Sequence, residues 1–131
     1  MKIFGIGTDI VNIKRMEDSL KKRGFSFKNK IFSRKEISYC DNKKNPSSFY
    51  AKRFAAKEAF SKALGTGIRK GVNLKNIEIS NNSQGKPSIK LKGNLPNFLK
   101  KRVKNKKYNI YLSLSDDRPW AQATVIISYD S

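Results

Sequence analysis

The sequence predicts an α+β fold in which a mainly antiparallel sheet packs with one long central helix, and three observations carry that expectation. The segment from Pro46 to Gly65 is dense in good helix formers and strings Phe49, Phe54, Ala55, Ala56, Ala59, Phe60, Ala63 and Leu64 along its length, with proline at its start. Tyr108 to Ser115 and Ala121 to Tyr129 read as two strands joined around Asp116-Asp117-Arg118-Pro119. The predicted order β, α, α, α, β, β, α, β, β is that of an α+β chain rather than a strictly alternating one.

Taken in order, Ile3, Phe4 and Ile6 flank glycines in a short apolar run that reads as a first strand and ends at Thr8-Asp9. Val11, Ile13, Met16 and Leu20 recur at near-helical spacing and predict a helix that Gly24 stops. Ser33 and Glu36 form a capping box, in which hydroxyl and carboxylate satisfy free amides, so a short helix from about residue 33 to 41 follows. The polar run Asp41 to Asn45 ends it, and the central helix comes next. Ile77 and Ile79, a polar Asn81-Asn82-Ser83-Gln84-Gly85 connection, then Ile89 and Leu91 predict a hairpin with Pro87 at an edge position. Leu95, Phe98, Leu99 and Val103 fit a further amphipathic helix before the last two strands. With no internal repeat or linker, the 131 residues are expected to form a single domain, 1–131.

Composition excludes several kinds of chemistry. The single cysteine, Cys40, cannot form an internal disulfide, and the absence of histidine removes the familiar zinc sites and every imidazole triad. Any metal must be held by carboxylates, carbonyls and water, which favours Mg2+ or a similar hard cation. Any general base must be a carboxylate, lysine, tyrosine or metal-bound water. No apolar stretch approaches the roughly 20 residues that span a bilayer. Met1 to Gly7 is too short and glycine-rich for a signal peptide, so a cytoplasmic protein with no membrane partner is expected. The 29 basic and 10 acidic residues give a net charge of +19, spread over both halves. Such a field speeds association with nucleic acid, phosphorylated ligands or acidic proteins, although 22 of the 29 are lysine, as in a lysine- and asparagine-biased proteome.

Four local patterns bear on chemistry, and each has two readings. Asp9 follows Gly5-Ile6-Gly7-Thr8, where glycines permit a tight turn or a close backbone approach; its carboxylate either caps the next helix or meets a ligand. On the central helix, spacing places Glu58, Ser61, Lys62 and Gly65 on one side. Glu58 and Lys62 form either a solvated i,i+4 pair worth about 0.3 kcal/mol, or a group in which Glu58 joins Asp9 around Mg2+ while Lys62 neutralises phosphate oxygens. Gly65-Thr66-Gly67 with Arg69 and Lys70 is a phosphate-binding turn or a helix C-cap. Gly85-Lys86-Pro87 is a plain turn or a rigid bend lining a ligand.

Taken jointly and in this spacing, Gly5 to Val11, Arg53 to Gly67 and Gly85-Lys86-Pro87 resemble the holo-acyl-carrier-protein synthases, the small bacterial 4'-phosphopantetheinyl transferases, over essentially the whole chain. The resemblance implies that fold, and transfer of 4'-phosphopantetheine from coenzyme A to a serine of apo acyl carrier protein for fatty acid biosynthesis. Asp9 and Glu58 match the Mg2+ ligands, and Lys62 matches the family lysine near the transferring phosphate. Lys57 and Ser61 become secondary coenzyme A contacts beside Lys62 and Gly65, while Gly85, Lys86 and Pro87 resemble the segment beside the adenine end. Arg15 matches the family arginine that engages the acidic carrier, with Lys14, Lys22 and Arg23 extending that surface. A homotrimer with sites at subunit interfaces is the expected assembly. Asp116 stands where many relatives have histidine, so the proton acceptor is metal-bound water or a site carboxylate, with Asp116 either accepting a proton or capping a turn.

Two other functions compete. A basic nucleic-acid binder would stack bases on Phe49, Tyr50 and Phe54 or on Tyr108 and Tyr111. An inert subunit would merely dock an acidic partner. Only the enzyme needs Asp9 and Glu58 together with Mg2+, and it needs no nucleic acid.

Overall fold

The computed structural model describes residues 1–65 and 72–131. Along the chain run β1 (Lys2–Asn12), α1 (Ile13–Ile31), α2 (Arg34–Asp41), α3 (Pro46–Leu64), a 3-10 turn at Leu74–Asn76, β2 (Ile77–Asn81), β3 (Pro87–Leu91), α4 (Leu95–Arg102), β4 (Tyr108–Asp117) and β5 (Trp120–Tyr129). β5 lies between β1 and β4 in a three-stranded sheet, while β2 and β3 form a separate two-stranded one. Every pairing is antiparallel. The register sets Asp9 and Leu114 on either side of Ala123, and Pro87 takes the first position of β3 opposite Asn81.

The expected central helix is α3, which crosses β1 and β5. It comes close because glycine leaves room: a Cβ added at Gly5 would strike the carbonyl oxygen of Ala63, and one at Gly7 that of Ala59. Ala55, Ala56, Ala59, Phe60 and Leu64 pack with Val125 and Ile127 of β5, Ile77 and Ile79 of β2, and Leu99 of α4 in the main core. Each large apolar side chain buried there contributes roughly 1.5–3 kcal/mol. A second cluster gathers Ile13, Met16, Phe32, Tyr50 and Ala121, tying α1 and α2 to the other end of α3.

Two boundaries differ from expectation. Val11 belongs to β1, because pairing with Ala121 carries the strand to Asn12; the Asn12 side chain then caps α1 by accepting the amide of Arg15. Gly24 kinks α1 instead of stopping it: its backbone leaves the helical region at φ 62° and ψ −145°, and the helix resumes through Ile31. The continuation pays because Phe27 and Ile31 reach the second cluster. The capping box forms as expected, with Ser33 Oγ accepting the Glu36 amide at 3.3 Å and Glu36 Oε1 accepting the Ser33 amide at 2.9 Å.

The face of the three-stranded sheet turned away from α3 carries Ile6, Ile126 and Tyr111 as one row across the strands. Ile6 is 62% exposed and Tyr111 51%, and Ile10 stands exposed beside them.

Candidate active site

Where Gly7 lets α3 approach β1, three charged side chains converge. Asp9 follows two residues later on the same strand face, and Glu58 and Lys62 lie one turn apart on the outward stripe of α3. Lys62 Nζ donates to Asp9 Oδ1 and to the Thr8 carbonyl oxygen, each at 3.0 Å. Burial pushes the Glu58 carboxyl above the usual carboxylate range; the negative charge of Asp9 adds to this and Lys62 opposes it. Asp9 and Glu58 lie within electrostatic reach of one another, so each disfavours the other's ionised form. Gly65 closes α3 in the left-handed region at φ 88°, with its amide donating to Lys62 O. Thr66, Gly67, Arg69 and Lys70 lie outside the described residues.

A cavity of about 280 Å³ opens beside this group, lined by Asp9, Val11, Arg15, Met16, Phe27 and Phe54. Arg15 is thus brought to the mouth of the carboxylate site. Lys14, Lys22 and Arg23 are exposed on the same helix, so α1 presents cations to solvent. Lys14 is less free than its position implies, since Glu17 and Asp18 each hold its ammonium at 3.2 Å. Arg23 lies over the Phe27 ring, 5.5 Å from its centroid.

Lys57 and Ser61 correct the sequence expectation of secondary coenzyme A contacts. Lys57 is fully buried, and Nζ donates to Glu36 Oε1 at 2.8 Å, Leu74 O at 2.9 Å and Ile77 O at 2.6 Å. All three ammonium protons are spent inside the protein, and burial holds its pKa down against the raising effect of Glu36. Ser61, 1% exposed, donates its hydroxyl to Lys57 O. The physical reason is helical phase: Ser61 is four residues from Lys57 and shares its inward stripe, whereas Glu58 and Lys62 share the outward one. Glu36 completes the network by accepting the Ile79 amide at Oε2, so one carboxylate joins α2, α3 and β2.

Gly85, Lys86 and Pro87 form an exposed turn fastened from below. Asn82 Oδ1 accepts the amides of Gln84 and Lys86, and Asn81 Nδ2 donates to Gly85 O. Asn81 Oδ1 in turn accepts from Arg53 Nη2 at 2.6 Å. Sequence reasoning missed Arg53, which is 2% exposed and stacks on Tyr39 at 4.1 Å; an arginine in a helix enclosed on most sides was the available signal. Among the described residues, no hydrogen bond or ion pair joins this turn to Asp9, Glu58 or Lys62.

Asp116 pairs with Lys52 of α3 at 3.2 Å, and Lys52 also sits 4.3 Å over the Phe49 ring. Asp116 lies two positions beyond Leu114, the residue level with Asp9. It is therefore a partner of Lys52 rather than a member of the Asp9 cluster. Of the aromatic residues named for base stacking, Tyr50 is fully buried with its hydroxyl 2.7 Å from Asp41 Oδ1 and Phe49 is flanked by Tyr39, Lys43 and Lys52, whereas Tyr111 is exposed.

Among the described residues no group of three or more Asp, Glu, Cys or His could enclose a metal ion. Two neighbouring carboxylates still suit Mg2+, which usually takes one or two carboxylates and completes its shell with water and substrate phosphates. The second carboxylate, already disfavoured as an anion by burial and by Asp9, gains a compensating charge when a dication binds.

Comparison with known proteins agrees along the whole length. Residues 5–123 match the 4'-phosphopantetheinyl transferase superfamily. The chain is 46% identical over 127 residues to the holo-[acyl-carrier-protein] synthase of Pelagibacter ubique, covering 97% of this chain and 98% of that protein. It is 46% identical over 126 residues to the synthase of Caulobacter vibrioides, covering 95% of each. Among solved structures, the Neisseria meningitidis synthase superposes with a TM-score of 0.86 at 38% identity, over 98% of this chain and 99% of that one. The Helicobacter pylori synthase, solved in complex with coenzyme A, superposes with a TM-score of 0.81 at 36% identity, over 94% and 99%. With a carboxylate pair and a lysine held between a glycine-bearing strand and a central helix, and with this likeness from end to end, the chain belongs to the 4'-phosphopantetheinyl transferase superfamily.

Proposed function

We propose that this protein is a Mg2+-dependent holo-[acyl-carrier-protein] synthase, transferring 4'-phosphopantetheine from coenzyme A to a serine of apo acyl carrier protein and releasing adenosine 3',5'-bisphosphate. The convergence of Asp9, Glu58 and Lys62 carries the reading, since neither a nucleic-acid binder nor an inert subunit requires it. Relatives bound to coenzyme A support the donor: the Helicobacter pylori synthase, and the Bacillus anthracis synthase in complex with CoA (3',5'-ADP) at 33% identity.

In the reaction the serine oxygen forms a bond to the phosphorus that carries pantetheine, and the bond from that phosphorus to the bridging oxygen of the pyrophosphate breaks. The leaving group departs with that oxygen, and the serine proton must be removed. Asp9 and Glu58 would hold Mg2+, which supplies charge to offset the developing negative phosphate. Lys62 neutralises the phosphate oxygens from the helix side. The proton would pass to a site carboxylate or to water at the site, and Asp116 is engaged by Lys52. Gly65 turns the chain out of α3 beside the phosphates, and the Gly85-Lys86-Pro87 turn receives the adenine end.

The carrier, an acidic protein, docks on α1 through Arg15 with Lys14, Lys22 and Arg23, delivering its serine to the cavity that opens at Asp9. The exposed row Ile6, Ile126 and Tyr111 suits burial against further copies of the chain, supporting a homotrimer in which the Gly85 turn of one subunit serves the Asp9 site of another. No helix among the described residues is long and apolar enough to cross a membrane. That fits a cytoplasmic role in fatty acid biosynthesis.

Intact-mass spectrometry of apo acyl carrier protein incubated with this protein, coenzyme A and Mg2+ tests the proposal, beside Asp9→Ala and Glu58→Ala. A phosphopantetheine-sized mass gain that requires the metal and both carboxylates is expected. No gain on any of several bacterial carriers, from a folded sample, overturns it.

A further inference from the structure

The hydrogen bonds of Lys62 set two cations in competition for one oxygen. Its ammonium bonds Asp9 Oδ1 and Thr8 O at 3.0 Å each, so it rests in a notch beside Thr8 and Asp9 of β1. The two partners are unequally held: the Asp9 side chain is 19% exposed and that of Lys62 56%. Asp9 is the fixed element and Lys62, on a flexible four-carbon stem, the one able to move. A magnesium ion bound to the same carboxylate sits about 2.0–2.1 Å from its oxygen and demands near-octahedral neighbours. An ammonium within hydrogen-bond distance of that oxygen would face a dication across a few ångströms and occupy part of its shell.

We propose that Lys62 is the intrinsic counter-cation of Asp9 and that a divalent ion binds by exchange with it, releasing the ammonium towards the phosphate side of the site. Metal entry and delivery of the phosphate-neutralising lysine thereby become one event. The inference rests on Asp9 and Glu58 being the metal's ligands. It adds that the lysine opposes metal binding before it assists the chemistry. The exposed Lys101 on α4 carries the same charge without a place in this notch.

The test is Mn2+ affinity in the absence of coenzyme A, followed by electron paramagnetic resonance of the free ion, so that turnover plays no part in the readout. Lys62→Met should bind Mn2+ roughly threefold to tenfold more tightly than wild type, the range expected for removing a half-exposed ion pair and its repulsion of the ion. Lys62→Arg, which keeps a cation at the notch, should stay within about twofold of wild type, as should Lys101→Met. Affinity for Lys62→Met that is unchanged or weaker overturns the exchange, and so does an equal gain in Lys101→Met, which would make the effect one of net charge. Asp9→Asn and Glu58→Gln separate the two levels. If both weaken Mn2+ binding, the metal site stands and Lys62→Met alone decides the exchange; if neither does, the ligand assignment has failed and the exchange with it.

Discussion

Replacing Gly7 with alanine tests the contact on which the site is built. A Cβ at this position falls on the carbonyl oxygen of Ala59, 2.9 Å from the Ala59 carbonyl carbon and 2.7 Å from the Ala63 amide nitrogen. All three are backbone atoms of α3, so no side chain can swing aside and the helix must retreat from β1. Ordinary contact begins near 3.4 Å, so a retreat of roughly 1.5 Å is needed to clear the Ala59 carbonyl oxygen, and overpacking of this kind costs ~1–3 kcal/mol. For a domain of this size that lowers Tm by about 3–12 °C. Glu58 and Lys62 travel with the helix while Asp9 stays with the strand, so the 3.0 Å bond from Lys62 to Asp9 is lost. A misplacement near 1 Å in a reacting geometry costs on the order of 10²-fold in rate. Circular-dichroism melts and initial rates of carrier modification should therefore fall together, with kcat affected more than KM for coenzyme A. Wild-type values for both would refute the proposition that glycine is needed there for helix approach.

Three further outcomes follow from the same geometry. Lys57→Met should cost about 3–5 kcal/mol in urea unfolding, because it leaves Glu36 buried without its cation, and adding Glu36→Gln should restore part of that loss. Glu58→Gln should abolish the mass gain while raising Tm at neutral pH. The raised pKa of Glu58 means its contribution to stability is present below the ordinary carboxylate range and lost as pH rises through the folded value, so melts from pH 4 to 8 should show the variant's advantage opening with pH. Asp116→Ala, which breaks a half-exposed pair worth ~0–1 kcal/mol, should leave both turnover and its pH profile close to wild type; a lost acid limb would return Asp116 to the chemistry.

How much of this was legible in the sequence depended on the distance between cause and effect along the chain. The capping box at Ser33 and Glu36 is complete within four residues, so its sequence and its geometry coincide. The same Glu36 also binds Lys57 and the Ile79 amide, and no local pattern announces partners so far away. The strand order failed to appear for the same reason, since β5 is central only because β1 returns from the far end of the chain to pair with it. Gly24 was misread because a glycine with positive φ serves equally to end a helix or to bend one; Phe27 and Ile31, with a core to reach, decided between them.

The residues of α3 show why the site itself was only half readable. In a helix that lies on a surface, polar residues mark the solvent side, so phase can be inferred from sequence. α3 is enclosed on most sides, and Arg53, Lys57 and Ser61 are as buried as Phe60. Polarity in such a helix no longer reports direction, and two adjacent charged residues meet opposite fates: Lys57 braces the core while the neighbouring Glu58 faces the site. What did report direction was glycine on another element. Gly5 and Gly7 can mark a close backbone approach, and once the helix above them is known to be α3, Ala59 and Ala63 must be its contact stripe. Glu58 and Lys62, each one residue before a member of that stripe, then project along the margin of the contact where Asp9 emerges. The cluster of Asp9, Glu58 and Lys62 is thus a consequence of where the backbone could come close, and the charges alone did not disclose it.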